Sequence, residues 1–342
     1  MERVLVALSG GVDSSTAAAL LKEGGFDVVA AIMVFEGIPC DAVGVARHLA
    51  QHLNIPFHIF DFTNEFHNAI ITNFIKEYGK GRTPNPCILC NELIKFGLLL
   101  KKAEELGVNK IATGHYVRIE KHNGRYLLKR GVDKNEQSYF LYRLQQKQLS
   151  KIIMPIGSYK KVDVRRLARK LKLPFAQRKK SQDICFIPDG DCVAYLQKLV
   201  PTRVGPVYDK SGQKIGEHKG ILFYTYGQRR GIGIRHTYPY YVTKIDAENN
   251  ALYVGEKKDV YKSQLIAKDL RFFSFDILEK KLQVMAKARY ASPLSRATIE
   301  PFAKDRVKVT FAKSQWALTP GQSVVFYQDD ILVGGGIIDE IL

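Results

Sequence analysis

Apolar and polar positions follow two different rhythms along this chain, and the rhythm changes near residue 200. Before it, β-type apolar runs at 4–8, 27–34, 55–60 and 110–113 are separated by stretches of helical spacing at 41–53, 64–78 and 91–106. Strands that alternate with helices predict an α/β fold with a doubly wound parallel sheet, whose ligands lie at the carboxyl ends of the strands. Residues 116–129 alternate around Asn123-Gly124, the signal of a β-hairpin. After Pro201 the helical spacing stops. Short β-type runs punctuated by glycine follow from Gly205, and 270–342 reads as alternating strands ending in Gly334-Gly335-Gly336, the pattern of a small β-barrel. The expected division is 1–200, 201–268 and 269–342: an N-terminal α/β domain, a small central domain and a C-terminal β-barrel.

Charge narrows the partners. The chain carries 52 Lys+Arg against 34 Asp+Glu, a formal net charge of +18. Residues 201–342 account for 22 − 15 = +7, leaving +11 for the rest, so both parts are basic. Such a field favours a polyanion, nucleic acid before membrane. From 159 to 180 stand ten basic residues against the single acid Asp163, a helix face expected to meet a phosphate backbone. No run is apolar enough to span a bilayer, and the N-terminus enters a core strand without a secretory pattern. Five sparse cysteines (40, 87, 90, 185 and 192) argue against a disulfide scaffold, and the expected compartment is the cytoplasm.

The first candidate site is Ala7-Leu8-Ser9-Gly10-Gly11-Val12-Asp13-Ser14-Ser15, between the first apolar run and the helix formers after Thr16. Strand, glycine turn and helix start present backbone N–H groups to an anion, and the helix N-terminus adds partial positive charge. Gly10 and Gly11 permit a sharp turn and close approach. Ser9, Ser14 and Ser15 are expected to add hydroxyl donors. The loop matches neither G-x-x-x-x-G-K-[ST] nor G-x-G-x-x-G. Its S-G-G-x-D-S form resembles the PP-loop of ATP-adenylating enzymes, which release pyrophosphate. Met33 and Gly114, at strand ends, are candidates for lining an adenine and ribose pocket.

The second candidate site is Gly81-Arg82-Thr83-Pro84-Asn85-Pro86-Cys87-Ile88-Leu89-Cys90-Asn91, and the third is Ser181-Gln182-Asp183-Ile184-Cys185-Phe186-Ile187-Pro188. Cys90 is expected just before a helix, a place that lowers a thiol's pKa. It and Cys185 fall in the same half of the chain although 95 positions separate them.

These segments, with Ala112-Thr113-Gly114-His115-Tyr116, the Y-T-x-G-Q-R-x-G stretch at 224–231 and Thr319-Pro320-Gly321-Gln322, resemble the bacterial tRNA-specific 2-thiouridylase family, in that family's order and over nearly the full chain. The resemblance implies an adenine nucleotide α-hydrolase-like ATP domain, a central domain and a tRNA-contacting C-terminal barrel. It implies ATP, Mg²⁺ near Asp13, the wobble uridine of tRNAs such as those for Lys, Glu and Gln, and a cysteine desulfurase or sulfur-relay protein as sulfur donor. ATP would adenylate the uracil C2 oxygen. Cys185 would carry sulfur as a persulfide, and Cys90 would attack it, leaving a Cys90–Cys185 disulfide. Asn85, Pro86 and Cys87 would lie at the target base, and His115, Asn135, Glu136, Gln137, Arg289, Tyr290 and Gln322 would contact tRNA.

The chain departs from the family pattern in two places. The segment after Met33 is shortened, and Cys87 stands where many relatives have Asp. Cys87, Cys90 and Cys185 form an alternative set of three iron–sulfur ligands, a minority reading. Two other functions share parts of the pattern: a tRNA lysidine synthetase-like or small-molecule amidotransferase-type ligase, and a noncatalytic RNA-binding protein. The first needs no paired cysteines, and an intact loop with Asp13 and Ser14 argues against the second.

Overall fold

A computed structural model describes residues 1–174, 184–234 and 236–342. In chain order the first elements are β1 (Arg3–Ala7), α1 (Val12–Glu23), β2 (Asp27–Val34), α2 (Ala42–His52), β3 (Phe57–Asp61) and α3 (Thr63–Phe66). A π-helical turn (His67–Ile71), α4 (Thr72–Gly79) and α5 (Pro86–Cys90) follow, then a second π-helical turn (Asn91–Leu98) and α6 (Leu99–Glu105). Next come β4 (Lys110–Ala112), β5 (Val117–His122), β6 (Arg125–Arg130), α7 (Gln146–Leu149), β7 (Ile152–Ile153), α8 (Lys161–Lys170) and α9 (Cys192–Leu199). The chain forms two compact units, residues 1–70, 87–186 and 330–332 in one, and 71–86, 187–329 and 333–342 in the other.

The first unit is built on a five-stranded sheet in the order β3-β2-β1-β4-β7. All its pairings are parallel. β1 is central, and Val4, Leu5 and Val6 are fully buried, as expected of a strand covered by helices on both faces. The chain leaves β1 towards β2 on one side and later returns to its other side as β4. That reversal makes the carboxyl ends of β1 and β4 the crevice where such sheets bind ligands. One core cluster joins Val4, Val6 and Leu8 to Ala18, Leu21 and Leu49. The hairpin at Asn123-Gly124 forms with β5 and β6 fully paired, from Val117↔Arg130 to His122↔Arg125, and Asn123 and Gly124 both take positive φ.

The second unit holds a four-stranded sheet and a barrel. The sheet has the order β10-β11-β8-β9, from β8 (Gly205–Tyr208), β9 (Lys214–His218), β10 (Tyr241–Asp246) and β11 (Ala251–Gly255). The barrel strands are β12 (Tyr261–Phe272), β13 (Leu282–Lys287), β14 (Ser295–Ala303), β15 (Arg306–Trp316), β16 (Ser323–Gln328) and β17 (Ile331–Ile341). They run β12-β15-β14-β13-β16-β17, and β12 pairs again with β17, which closes the ring. Closure removes the sheet edges that would otherwise invite aggregation. The barrel's first strand begins at Tyr261, ahead of residue 269. A register shift between Lys262 and Gln264 interrupts its alternation there, which hides the strand's start in the sequence pattern.

Candidate functional site

The phosphate loop folds as its composition requires. Gly10 has φ +73, a left-handed conformation that favours glycine. A Cβ at Gly11 would meet only the Ser9 hydroxyl, at 3.5 Å, so open space lies over the loop there. Helix α1 makes its first internal backbone bond from the Ser15 N–H to the Gly11 carbonyl, which leaves the N–H groups of Val12, Asp13 and Ser14 without intrahelical acceptors. Gly114, just past β4, fits closely. A Cβ there would stand 2.6 Å from the Ser14 nitrogen and 2.7 Å from the Asp13 carbonyl carbon. Its lack of a side chain therefore sets how near the β4 end comes to the N-terminus of α1. Met33 lies near the carboxyl end of β2, paired with Phe60. The residues Ala7, Leu8 and Val12 are buried, so they offer the crevice only backbone.

The serines bond within the loop. Ser14 Oγ donates to the Gly11 carbonyl at 3.1 Å and pairs with Ser9 Oγ at 3.2 Å, and the Ser9 N–H donates to Ser14 Oγ. Ser15 Oγ also donates back to the Gly11 carbonyl, at 2.8 Å, as a serine in the first turn of a helix readily does.

Asp13 carries two partners that the sequence pattern did not single out. Lys161 Nζ lies 2.5 and 2.6 Å from its two carboxylate oxygens, and Tyr116 Oη donates to Oδ1 at 2.7 Å. Lys161 belongs to the basic run yet faces inward. One turn on, Val164 and then Ala168 are buried, whereas Arg165, Arg166, Arg169 and Lys170 are exposed. The i, i+3, i+7 spacing of 161, 164 and 168 marks the inner face of α8 and was the available signal. Arg178, Lys179 and Lys180 of that run lie outside the described residues, as do Ser181, Gln182 and Asp183. The loop 133–137 is fastened to the same network. Asp133 Oδ2 accepts the Lys161 N–H at 2.7 Å and Oδ1 accepts from Asn135. Gln137 Oε1 accepts the Tyr116 N–H at 3.0 Å. Glu136 is buried, accepting from the Ser138 N–H at 2.9 Å and pairing with Arg130 at 3.4 Å; its carboxylate serves the fold of this loop. An Asp carboxylate beside unpaired helix N–H groups and an ammonium suits a triphosphate with a divalent cation, since Mg²⁺ takes one or two carboxylates and draws its other ligands from phosphate and water.

The thiols gather elsewhere in the same unit. Pro86 opens α5, a favoured first helical residue, and the helix runs through Cys87 and Cys90 into the π-helical turn. Cys90 is therefore inside a helical stretch and buried. The expectation of a lowered pKa is overturned: burial pushes the Cys90 thiol up to about 12, against a smaller lowering by Lys95 and a further rise from Cys185 and Cys87. Burial also raises Cys87. Cys185 is exposed at its surface, and its thiol is raised by partial desolvation and then by Cys87. A thiolate here is disfavoured unless charge is supplied. His115 stands close by, its ring 5.6 Å from that of Phe96. Its Nδ1 is 2.7 Å from Thr113 Oγ1, and burial followed by Lys95 pushes it down to about 3, so it is neutral. Gly37, at φ +89 in the shortened segment after Met33, lies where a Cβ would strike the Cys185 carbonyl and Phe186 Cα; the segment packs directly on the Cys185 strand of chain. Among the described residues no three His, Cys, Asp or Glu side chains form a group that could hold a metal ion.

The second unit brings together the remaining residues. Gln322 Nε2 donates to the Thr83 carbonyl at 2.8 Å, the Thr83 N–H donates to the Pro320 carbonyl at 2.9 Å, and Arg82 pairs with Asp339 at 3.1 Å. The residues before Asn85 and Pro86 are thus tied to the barrel. Arg289 Nη2 donates to Thr319 Oγ1, which brings Arg289 to the Thr319-Gln322 turn, and Lys287 stacks its ammonium 5.6 Å over the Tyr290 ring.

Among the described residues no helix is long and apolar enough to cross a membrane. Three family models match the chain: a tRNA methyl transferase HUP domain over 2–189, a tRNA methyl transferase PRC-barrel domain over 193–256 and an aminomethyltransferase β-barrel domain over 262–338. A curated relative from Thermoanaerobacter sp. (strain X514), tRNA-specific 2-thiouridylase MnmA 2, is 48% identical, covering 99% of this chain and 98% of its own length. The tRNA-specific 2-thiouridylase MnmA 1 of Clostridium botulinum (strain Loch Maree / Type A3) is 45% identical over 99% of each chain. The tRNA-specific 2-thiouridylase MnmA of Clostridium beijerinckii is 45% identical over 100% of this chain and 99% of its own. With identity of this level over the whole length, the chain belongs to the MnmA family of tRNA-specific 2-thiouridylases.

Proposed function

We propose that the protein is an ATP-dependent sulfurtransferase that converts the wobble uridine of tRNA to 2-thiouridine. The observation that carries this reading is that Cys185, 95 positions away in sequence, lies close enough to Cys90 for its charge to raise the Cys90 pKa, in the unit that also holds the phosphate loop. A ligase of the lysidine type needs the loop alone. In the proposed sequence the uracil C2 oxygen attacks the α-phosphorus of ATP, a P–O bond forms and pyrophosphate leaves. The backbone N–H groups of Val12 to Ser14 and the Lys161 ammonium hold the phosphates. Asp13 supplies the carboxylate for Mg²⁺, whose chemistry is to neutralise phosphate charge.

Sulfur then moves in balanced steps. The Cys90 thiolate attacks the inner sulfur of a Cys185 persulfide, the Cys90–Cys185 disulfide forms, and hydrosulfide departs with the sulfane sulfur. Hydrosulfide adds to C2, the C2–O bond to the adenylate breaks, AMP leaves, and loss of a proton gives the thiocarbonyl. A dithiol reductant restores both thiols. A base at which this happens must leave its stack; Asn85, Pro86, Cys87 and His115 are proposed to receive it. The loop 135–137 and Arg289, Tyr290 and Gln322 are proposed to contact the tRNA, with a desulfurase or sulfur-relay protein as donor. The test is nucleoside mass spectrometry of tRNA for Lys, Glu or Gln after incubation with protein, ATP, Mg²⁺ and a sulfide source. A uridine bearing sulfur in place of oxygen is expected. An unmodified uridine beside steady pyrophosphate release would point to the ligase reading, and no pyrophosphate release to a binding protein.

A further inference from the structure

The helical stretch that carries Cys87 and Cys90 widens immediately after Cys90, and the widening is braced from outside. Over Asn91–Leu98 the backbone is π-helical, a form that is rare, occurs in single turns and gathers at functional sites. Gln148 of α7 holds it. Its Nε2 donates to the carbonyls of Glu92 at 3.2 Å and Phe96 at 2.9 Å, while its Oε1 accepts the Gln145 N–H at 2.9 Å. Glu92 is anchored by Arg143 at 2.5 Å, and Asn91 Nδ2 donates to the Phe140 carbonyl at 3.2 Å. A Cβ at position 97 would sit 3.0 Å from the Glu92 carbonyl, so glycine there also admits the wide turn.

The widening decides where Lys95 lies. In an α-helix a residue five positions on is rotated about 140° from the first. Where residue i bonds residue i+5, that fifth residue returns over the face it started from. Lys95 is the fifth residue after Cys90, so the π turn returns position 95 towards the face of the helix that carries Cys90. The electrostatics agree with this placement. Lys95 acts on Cys87, Cys90, Cys185 and His115 alike, and in each case it lowers the pKa. Glu92, the acid of the same turn, is occupied by Arg143.

We propose that Lys95 is the positioning charge of the thiol site: held over Cys87, Cys90 and Cys185 by the Gln148-braced wide turn, it stabilises the sulfur anions on which transfer between these cysteines depends. The assignment rests on the sulfur-transfer reading for its purpose and stands on the turn geometry for its chemistry. Lys95 offsets part of the burial that keeps these sulfurs protonated, and it neutralises hydrosulfide or a persulfide anion formed among them. His115 is kept neutral, and Lys95 acts on all three thiols.

The test reads thiol ionisation and does not require tRNA. The full-length protein is alkylated with iodoacetamide across pH 7–10, and the modification of Cys185 and Cys90 is followed by peptide mass spectrometry for the wild type, Lys95→Met, Lys95→Gln and Lys95→Arg. The neutral variants are expected to be about three- to tenfold slower at pH 8 at both cysteines, with the rate–pH profile displaced upward. Lys95→Arg stays within about twofold of the wild type. Gln148→Leu shifts the profile in the same direction by less. A purely structural role would slow Lys95→Arg as much as the neutral variants, whereas a role of charge is rescued by it. Should Lys95→Met fail to fold, Lys95→Gln against Lys95→Arg carries the comparison. Unchanged profiles in the folded neutral variants overturn the assignment even if the enzyme thiolates tRNA. A shifted profile in a protein that makes no 2-thiouridine sustains the assignment and removes the proposed function instead.

Discussion

The phosphate loop and the thiol site sit in one unit and are built in opposite ways. The loop is made of nine consecutive residues, and its shape follows from local rules: a left-handed Gly10, a helix start, a serine that closes the turn. Its charge is already balanced, with Asp13 held between Lys161 and Tyr116. The thiol site is drawn from 87–95, 113–115 and 185, and its reactive groups are held in their unreactive forms, Cys90 protonated and His115 neutral. The contrast teaches that the nucleotide site is ready for its ligand, whereas the thiol site must be switched on by charge. Burial at Cys90 outweighs Lys95 in the free protein.

The largest effects are expected where the contrast is broken at the loop. Asp13→Ala and Ser14→Ala should abolish pyrophosphate release while the protein stays folded by circular dichroism, and Lys161→Ala should lower it by about a hundredfold. If Asp13→Ala turns over ATP normally, the loop is not the adenylation site.

Thiol substitutions should break the other half in a graded way. Cys185→Ser should lose persulfide loading, because a hydroxyl cannot hold a sulfane sulfur. Cys90→Ser should load sulfur at position 185 and yet form no 2-thiouridine. Cys87→Ser should cost only moderately. Persulfide trapping with mass spectrometry, beside iron analysis, checks the series. Equal loss at all three positions together with an iron requirement would favour the cluster reading.

A smaller effect sharpens the comparison through pH. His115 is pushed down to about 3 from 6.5, so the unfolded chain binds a proton between those values that the folded one does not. Its contribution to stability is present above about pH 6.5 and lost as pH falls towards 3. Cys90, raised from 9.0 to about 12, contributes below pH 9 and loses that contribution as pH rises to 12. The melting temperature should therefore be highest between about pH 6.5 and 9. His115→Gln should flatten the acid limb and Cys90→Ala the alkaline one, as measured by scanning calorimetry; limbs that keep their slopes would show both groups to be solvated.

The smallest expected change is in salt dependence. Neutralising Arg165, Arg166, Arg169 and Lys170 together should reduce the slope of log tRNA affinity against log salt concentration. An unchanged slope would make the outer face of α8 a solvated surface. Lys161, on the inner face, should leave that slope alone.

The sequence by itself determined the parallel sheet, the hairpin, the closing barrel and the phosphate loop, because each is written in local periodicity or in a contiguous turn. Alternation of strand and helix gave the sheet, Asn123-Gly124 the hairpin, and Gly10 the turn before α1. What local pattern could not express lay between segments. Lys161 read as one member of a basic run and turned out to pair with Asp13, 148 positions away, since only packing separates the inner face of α8 from the outer. Cys90 read as a thiol at a helix start. Only the tertiary structure showed it one turn inside a helix that begins at Pro86 and under enough protein to raise its pKa. The π turn was invisible for the same reason: a backbone one residue wider per turn is held by a glutamine fifty residues on, and hydrogen bonds between distant segments leave no period in the sequence.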